Sequence, residues 1–356
     1  MTSNGVGPGK GGHTDAMDVR LLSRLARAYR RTGADLPGGD PRPTHGAEME
    51  GWFWRFTDRP SGRVVIALCG VNRHPEGDWA TVGLAAHPGG LICSAAVDGA
   101  TASADRLEVR AGEALDADDR RLVVRLEDHE LDVVIDDAVG WPHRLGAGGV
   151  FSAVPFLGQY WHPHVLGGRA TGTLRAGDDT WRLDGADVYA EKNWGAGFPD
   201  HWWWGQAQGF DDPGVCVAFG GGRLRAGPVA VDVGGCIVRL GDRVLRFAPP
   251  TALVRATVAD GTWRVVARRP GLCVRIEGDG DGTEPHVLPV PVPAERRNIS
   301  TDFEHLAGRL HLRVDAGSRV LFDGTTHLAG LELGSTDPVL ARAQHEVLLA
   351  AASDGC

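Results

Sequence analysis

The chain has 356 residues and a formal net charge of −9, with acidic and basic side chains mixed along its length. That length favours two domains of ordinary size, each able to bury a core. The charge argues against nucleic acid or an anionic membrane as partner, so the expected ligand is small and neutral or apolar.

Residues 1–14 are glycine-rich and read as disordered. From Met17 to about Arg31, Val19, Leu22, Leu25, Ala26 and Tyr29 recur at helical spacing among arginines, an amphipathic helix. A solvated arginine face is the ordinary reading of residues 17–31, with peripheral membrane contact as the alternative. Residues 33–45, rich in Gly and Pro, read as a linker. No apolar signal core and no run of about 20 apolar residues occurs, so no transmembrane segment is expected. The six cysteines are dispersed without zinc-ligand spacing, and the expectation is a cytoplasmic protein with reduced thiols.

On a strand, Glu50, Trp52, Trp54 and Phe56 project to one side and set a carboxyl group in a row of aromatics. Between Arg63 and Leu145 come short β-rich segments separated by Gly, Pro and Asp turns, the pattern of an antiparallel barrel or sandwich. His162 and His164 share a strand face, but no third ligand accompanies them and Pro163 interrupts, so no metal site is assigned. Strand-like segments resume after Val215. His286 to Pro293, with three prolines, reads as a rigid loop with no room for a central strand. Thr336-Asp337-Pro338 is a helix start, and a closing helix is expected to about Ala351.

The densest stretch runs from Asp187 to Phe210 and holds Trp194, Trp202, Trp203 and Trp204. Gly195 to Pro199 is a turn, so two strands meet at a glycine-rich corner. Alternation places Tyr189, Glu191 and Asn193 on one face and Lys192 and Trp194 on the other. After the turn, Trp202, Trp204, Gln206 and Gln208 share a face opposite His201 and Trp203. That face is too polar for an ordinary core and too aromatic for an ordinary surface, and it suits a pocket wall.

Tyr189 to Gly195, Gly197-Phe198-Pro199, Trp202 to Trp204 and Gln206 together resemble the Glu-Lys-Asn-Trp-Gly, Gly-Phe-Pro, Trp-x-Trp and Gln segment of the tocopherol cyclase family. Glu50-Gly51-Trp52-Phe53, Pro155-Phe156, Trp161, Ala170-Thr171-Gly172 and Leu331-Glu332-Leu333-Gly334 resemble further family segments. The chain departs where plant-type cyclases carry Glu and His, having Gly158 and Tyr160.

The resemblance implies an all-β fold of two lipocalin-like antiparallel β-barrels in tandem with short N- and C-terminal helices. Residues 45–180 would form the first barrel, 181–335 the second, 1–44 a leading segment and 336–356 a C-terminal helix and tail. It also implies a cofactor-independent cyclase that protonates a prenyl double bond so that an internal nucleophile closes a ring. Such chemistry needs a carboxylic acid kept protonated by burial, and Glu50 and Glu191 are the expected donors. Trp52, Trp54, Trp161, Trp194, Trp202, Trp203 and Trp204 are the expected aromatic wall, with Tyr160, Tyr189, Asn193, Gln206 and Gln208 orienting a small apolar prenylated substrate. The alternatives are a hydratase of an isoprenoid double bond and a non-catalytic carrier.

Overall fold

The computed structural model describes residues 12–226 and 229–354. The expectation of disorder over residues 1–14 falls mostly outside them, and the helix begins at Gly12 and runs to Arg30. Its last turn is tied to the body: Tyr29 Oη donates to the Ala153 carbonyl, and Arg30 bonds Pro43 and Thr44 carbonyls and pairs with Asp35. Leu22 and Leu25, placed on an apolar face from the sequence, are 65% and 58% exposed. No helix among the described residues is long and apolar enough to cross a membrane.

Among the described residues the strands form two large antiparallel sheets, of twelve and ten strands. Each is a meander whose first strand returns to pair with a long late strand. In the first sheet Met49–Asp58 lies between Arg63–Asn72 and the 17-residue strand Asp179–Gly195. In the second, His201–Ala207 lies between Val215–Ala226 and Arg319–Ser335, which pairs in turn with Arg297–Ala316. The two-barrel reading holds at the level of the sheets, and the second nearly closes as Leu253–Ala259 comes back against Val229–Leu240.

Alternation makes each sheet two-faced. Trp52, Trp54 and Phe56 enter the first core with Val65, Ala67 and Val188, whereas Trp203 packs against the second core with Phe219. Gly51, Phe53 and Arg55 point the opposite way, toward the second sheet. Burial of Val64 and Ile66 against Leu288 and Leu306 joins the two sheets across that interface. Beside it, Arg55 pairs with Glu304 at 3.3 Å and donates to the Leu306 and Leu328 carbonyls.

Three sequence expectations change. Asp179–Gly195 belongs to the first sheet, so the division falls at the Gly195 to Asp200 corner and not at residue 180. Pairing with the Met49 strand, 130 residues earlier in the chain, decides this. His286–Val292 is a strand after all, joined to Arg297–Ala316 alone through a register shift at Leu288/Pro289. An off-path strand tolerates proline because one side needs no N–H donors. The 33–45 linker is partly buried, with Ala34, Asp35, Thr44 and His45 closed from solvent. The closing helix, Pro338–Asp354, starts where expected, with Asp337 Oδ1 accepting from the Val339 N–H at 2.8 Å.

Candidate active site between the two sheets

A cavity of about 610 Å³ lies between the outer faces of the sheets, within the usual size range of small-molecule sites. Two cross-strand rows of the second sheet form one wall. Trp202, Gly334 and Asp302 stand in one row, and Trp204, Glu332 and Glu304 in the next. The indoles lie over bare strands: a Cβ on Gly334 would stand 2.0 Å from Trp202, and one on Gly220 3.2 Å from Trp204. The facing wall comes from the first sheet, where Phe53 pairs with Glu191 and Gly51 with Asn193. Gly51 leaves room for the Asn193 amide, whose Oδ1 is buried without a hydrogen-bond partner.

Glu191 is the focus. Its Oε2 accepts from Trp161 Nε1 at 2.8 Å, from Trp204 Nε1 at 3.0 Å and from the Tyr189 hydroxyl. Three donors fill that oxygen, so a proton on this carboxyl sits on Oε1. Burial raises its pKa and the three hydrogen bonds pull it back, leaving it at about 7. Glu191 is therefore a carboxylic acid for much of the time at neutral pH, in a lining that is mostly apolar.

Glu50 does not join Glu191 at the cavity. Its side chain lies at the buried end of the first barrel, outside the cavity lining, where Thr44 Oγ1 and the N–H groups of His45, Gly46 and Ala47 bond it. Lys192 Nζ reaches it at 2.7 Å. Burial pushes the carboxyl up, but the Lys192 ammonium and the His45 bonds outweigh it and hold it well below the usual range. Lys192, pulled down to about 8 by burial, sits 4.8 Å from the Trp52 ring centre and 4.9 Å from that of Trp194. The group pins the linker: Lys192 also donates to the Pro41 and Pro43 carbonyls, and His45 stacks on Trp194.

Of the other expected pocket residues, Tyr160, Trp161, Asn193, Trp202 and Trp204 line the cavity, while Trp52 and Trp203 border it with their rings turned into the two barrel cores. Trp54 is core packing in the first barrel, and Trp194 donates to the Gly33 carbonyl behind the wall. Tyr189 acts on Glu191 from behind. Gln206 and Gln208 share the face of Trp204 but lie past the cavity, bonded to Cys216 and Thr57. His162 accepts from the Ala147 N–H and is neutral, pushed down to about 3 by burial. The departure at Gly158 has a backbone reason: it adopts φ +64°, and its carbonyl accepts from Ala196 at the corner.

Two lining carboxyls were missed from sequence, Asp302 and Glu332. Trp202 Nε1 donates to Glu332, and Asp302 hydrogen-bonds Glu332. Burial raises Asp302 well above the carboxylate range, helped by the charges of Glu332 and Glu304; burial also raises Glu332, to about 7. The signal was present in Leu331-Glu332-Leu333-Gly334, where a lone acid stands between apolar residues on a β-rich run.

A family model described as tocopherol cyclase-like matches residues 110–335, well over half of the chain. The chain belongs to the tocopherol cyclase-like family. It is 26% identical over 209 residues to a probable chloroplastic tocopherol cyclase of Oryza sativa subsp. japonica, and 27% over 205 residues to the chloroplastic tocopherol cyclase of Zea mays. These alignments cover 52% and 54% of this chain and 42% of each relative, so the chain spans less than half the length of either. In fold this member of the family is similar to the crystal structure of CghA with Sch210972, at TM-score 0.55 and 12% identity, over 80% of this chain and 88% of that one.

Proposed function

We propose that this protein is a cyclase acting on a prenylated aromatic or related terpenoid substrate. Glu191 transfers the proton on Oε1 to a prenyl double bond, forming a C–H bond and a tertiary cation. An internal nucleophile, a phenol oxygen or a second alkene, then closes the ring, and the proton it carried leaves. The sum is an isomerisation. The observation that carries this reading is the Glu191 carboxyl, held through one oxygen by three donors and open through the other in a mostly apolar cavity.

The rings of Trp161, Trp202 and Trp204 surround the position where the cation develops. Each desolvated indole face contributes on the order of 2 kcal/mol of cation–π attraction. Asn193, with its unpartnered Oδ1, accepts a hydrogen bond from a substrate hydroxyl and fixes the ring for attack. Addition of water is the second reading, favoured by the Asp302–Glu332 carboxyls, which give the cavity one polar end able to hold a water.

The test is incubation of the protein with a prenylated hydroquinone in deuterated water, followed by mass spectrometry. A cyclised isomer with one new carbon-bound deuterium supports the cyclase. A product heavier by one water supports the hydratase, and saturable binding without turnover supports a carrier.

A further inference from the structure

We propose that Glu332 is the base of this reaction, taking the proton from the hydroxyl whose oxygen closes the ring, and that Asp302 positions it. The inference rests on the cyclase reading above. Two indole N–H groups two residues apart on one strand face address different carboxyls: Trp204 donates to Glu191 of the first sheet, and Trp202 to Glu332 of the second. Glu332 stands across the strand pair from Trp204 yet is reached by Trp202, so the cavity holds two carboxyls on opposite walls, each fixed by its own indole, as separate acid and base roles require.

The roles follow from their partners. Asp302 is 94% closed from solvent, being 6% exposed, and no N–H or O–H donor reaches its buried Oδ1. Asp302 nevertheless hydrogen-bonds Glu332, and two carboxyls bond only when one of them carries a proton. One backbone donor, the Phe303 N–H, is all that favours an anion on Asp302, its other oxygen has none and it is the more deeply buried of the two, so the shared proton belongs to Asp302. Glu332 then accepts from both Asp302 and Trp202, two bonds that favour its anion. Glu332 is also the less buried of the pair, and so the one that meets a substrate hydroxyl. In the step, the oxygen lone pair forms the C–O bond, the O–H bond breaks, and the proton passes to a Glu332 oxygen. After product leaves, Glu332 gives its proton to water and Glu191 recovers one from it, so both carboxyls are reset.

The experiment uses two probes. The first is a hydroquinone with a fully saturated isoprenoid chain, which has no double bond to protonate, compared with its dimethyl ether by quenching of tryptophan fluorescence. The hydroquinone should bind about tenfold or more tightly. Glu332→Leu should lower that preference about fivefold or more, to what Asn193 alone supplies, and Glu191→Gln should leave it whole. The second is the reactive prenylated hydroquinone in deuterated water. Glu332→Gln and Asp302→Asn should lower ring closure about a hundredfold or more, yet still place deuterium in the recovered alkene, because the cation forms and collapses back. Ring closure at the wild-type rate in Glu332→Gln, or equal wild-type affinity for the two unreactive ligands, overturns the proposal. Failure of the cyclase reading looks different: wild-type protein then puts no deuterium into product or recovered substrate. A hydroxyl preference surviving alongside that result makes Glu332 a receptor for the hydroxyl and removes it as a base.

Discussion

In the proposed reaction the proton moves from Glu191 Oε1, because its sister oxygen is occupied by three donors. Replacing Glu191 with Gln keeps the size and loses the proton, so turnover should fall by about 10²- to 10⁴-fold, with the melting transition retained. Glu50→Ala should do the reverse. It leaves Lys192 buried without a counter-charge and should cost about 3–5 kcal/mol by denaturant titration, with activity kept in the folded fraction. Sequence placed both glutamates among aromatics and put Lys192 on the face away from Glu191. It gave no means of seeing that this other face, once paired, brings Lys192 to Glu50, since the contact joins residues 142 positions apart. Two glutamates that both read as acids among aromatics became one carboxyl raised to about 7 and one ion pair, and strand register made the difference.

At the scale of the element, the site depends on strands that alternate bulky and absent side chains. The Trp202 indole rests on Gly334, and it is this seating that aims its N–H at Glu332. Gly334→Val should displace the indole, shift the tryptophan emission and lower kcat/KM at least about tenfold, even though residue 334 carries no chemistry. Equal activity and an unchanged spectrum would remove the seating argument. Alternation correctly gave Trp202 and Trp204 one face and Trp203 the other. It overextended the wall to Gln206 and Gln208, because a period of two tells which side a residue takes and not where a cavity ends. Asp302 was given no role since its significance comes from standing beside Gly334 across a strand pair.

For the molecule as a whole, the informative point is where the barrels meet. Two barrels were legible from strand spacing and resemblance, and a lipocalin-like reading puts the ligand inside a barrel. Here both interiors are filled, and the cavity lies between outer faces held together by Arg55 and Glu304. Arg55→Ala should leave the Leu306 and Leu328 carbonyls without their donor and Glu304, already pushed up to about 8 by burial, as a neutral acid, at a cost of about 1–3 kcal/mol read as a lowered melting temperature. Glu191 also ties stability to pH. Its folded-state pKa is raised, so the protonated form favours the folded state. That contribution is complete below the unfolded value of about 4.5 and is lost as pH rises through about 7. Ionisation of the same group removes the proton donor. The most direct measurement is therefore the rate of single-turnover ring closure from about pH 5 to about pH 9 for the wild-type protein and Glu191→Gln. A wild-type rate that falls above about 7, with the variant slow throughout, is the expected result. A variant that closes the ring at the wild-type rate with the same pH profile would contradict the assignment of Glu191 as the acid.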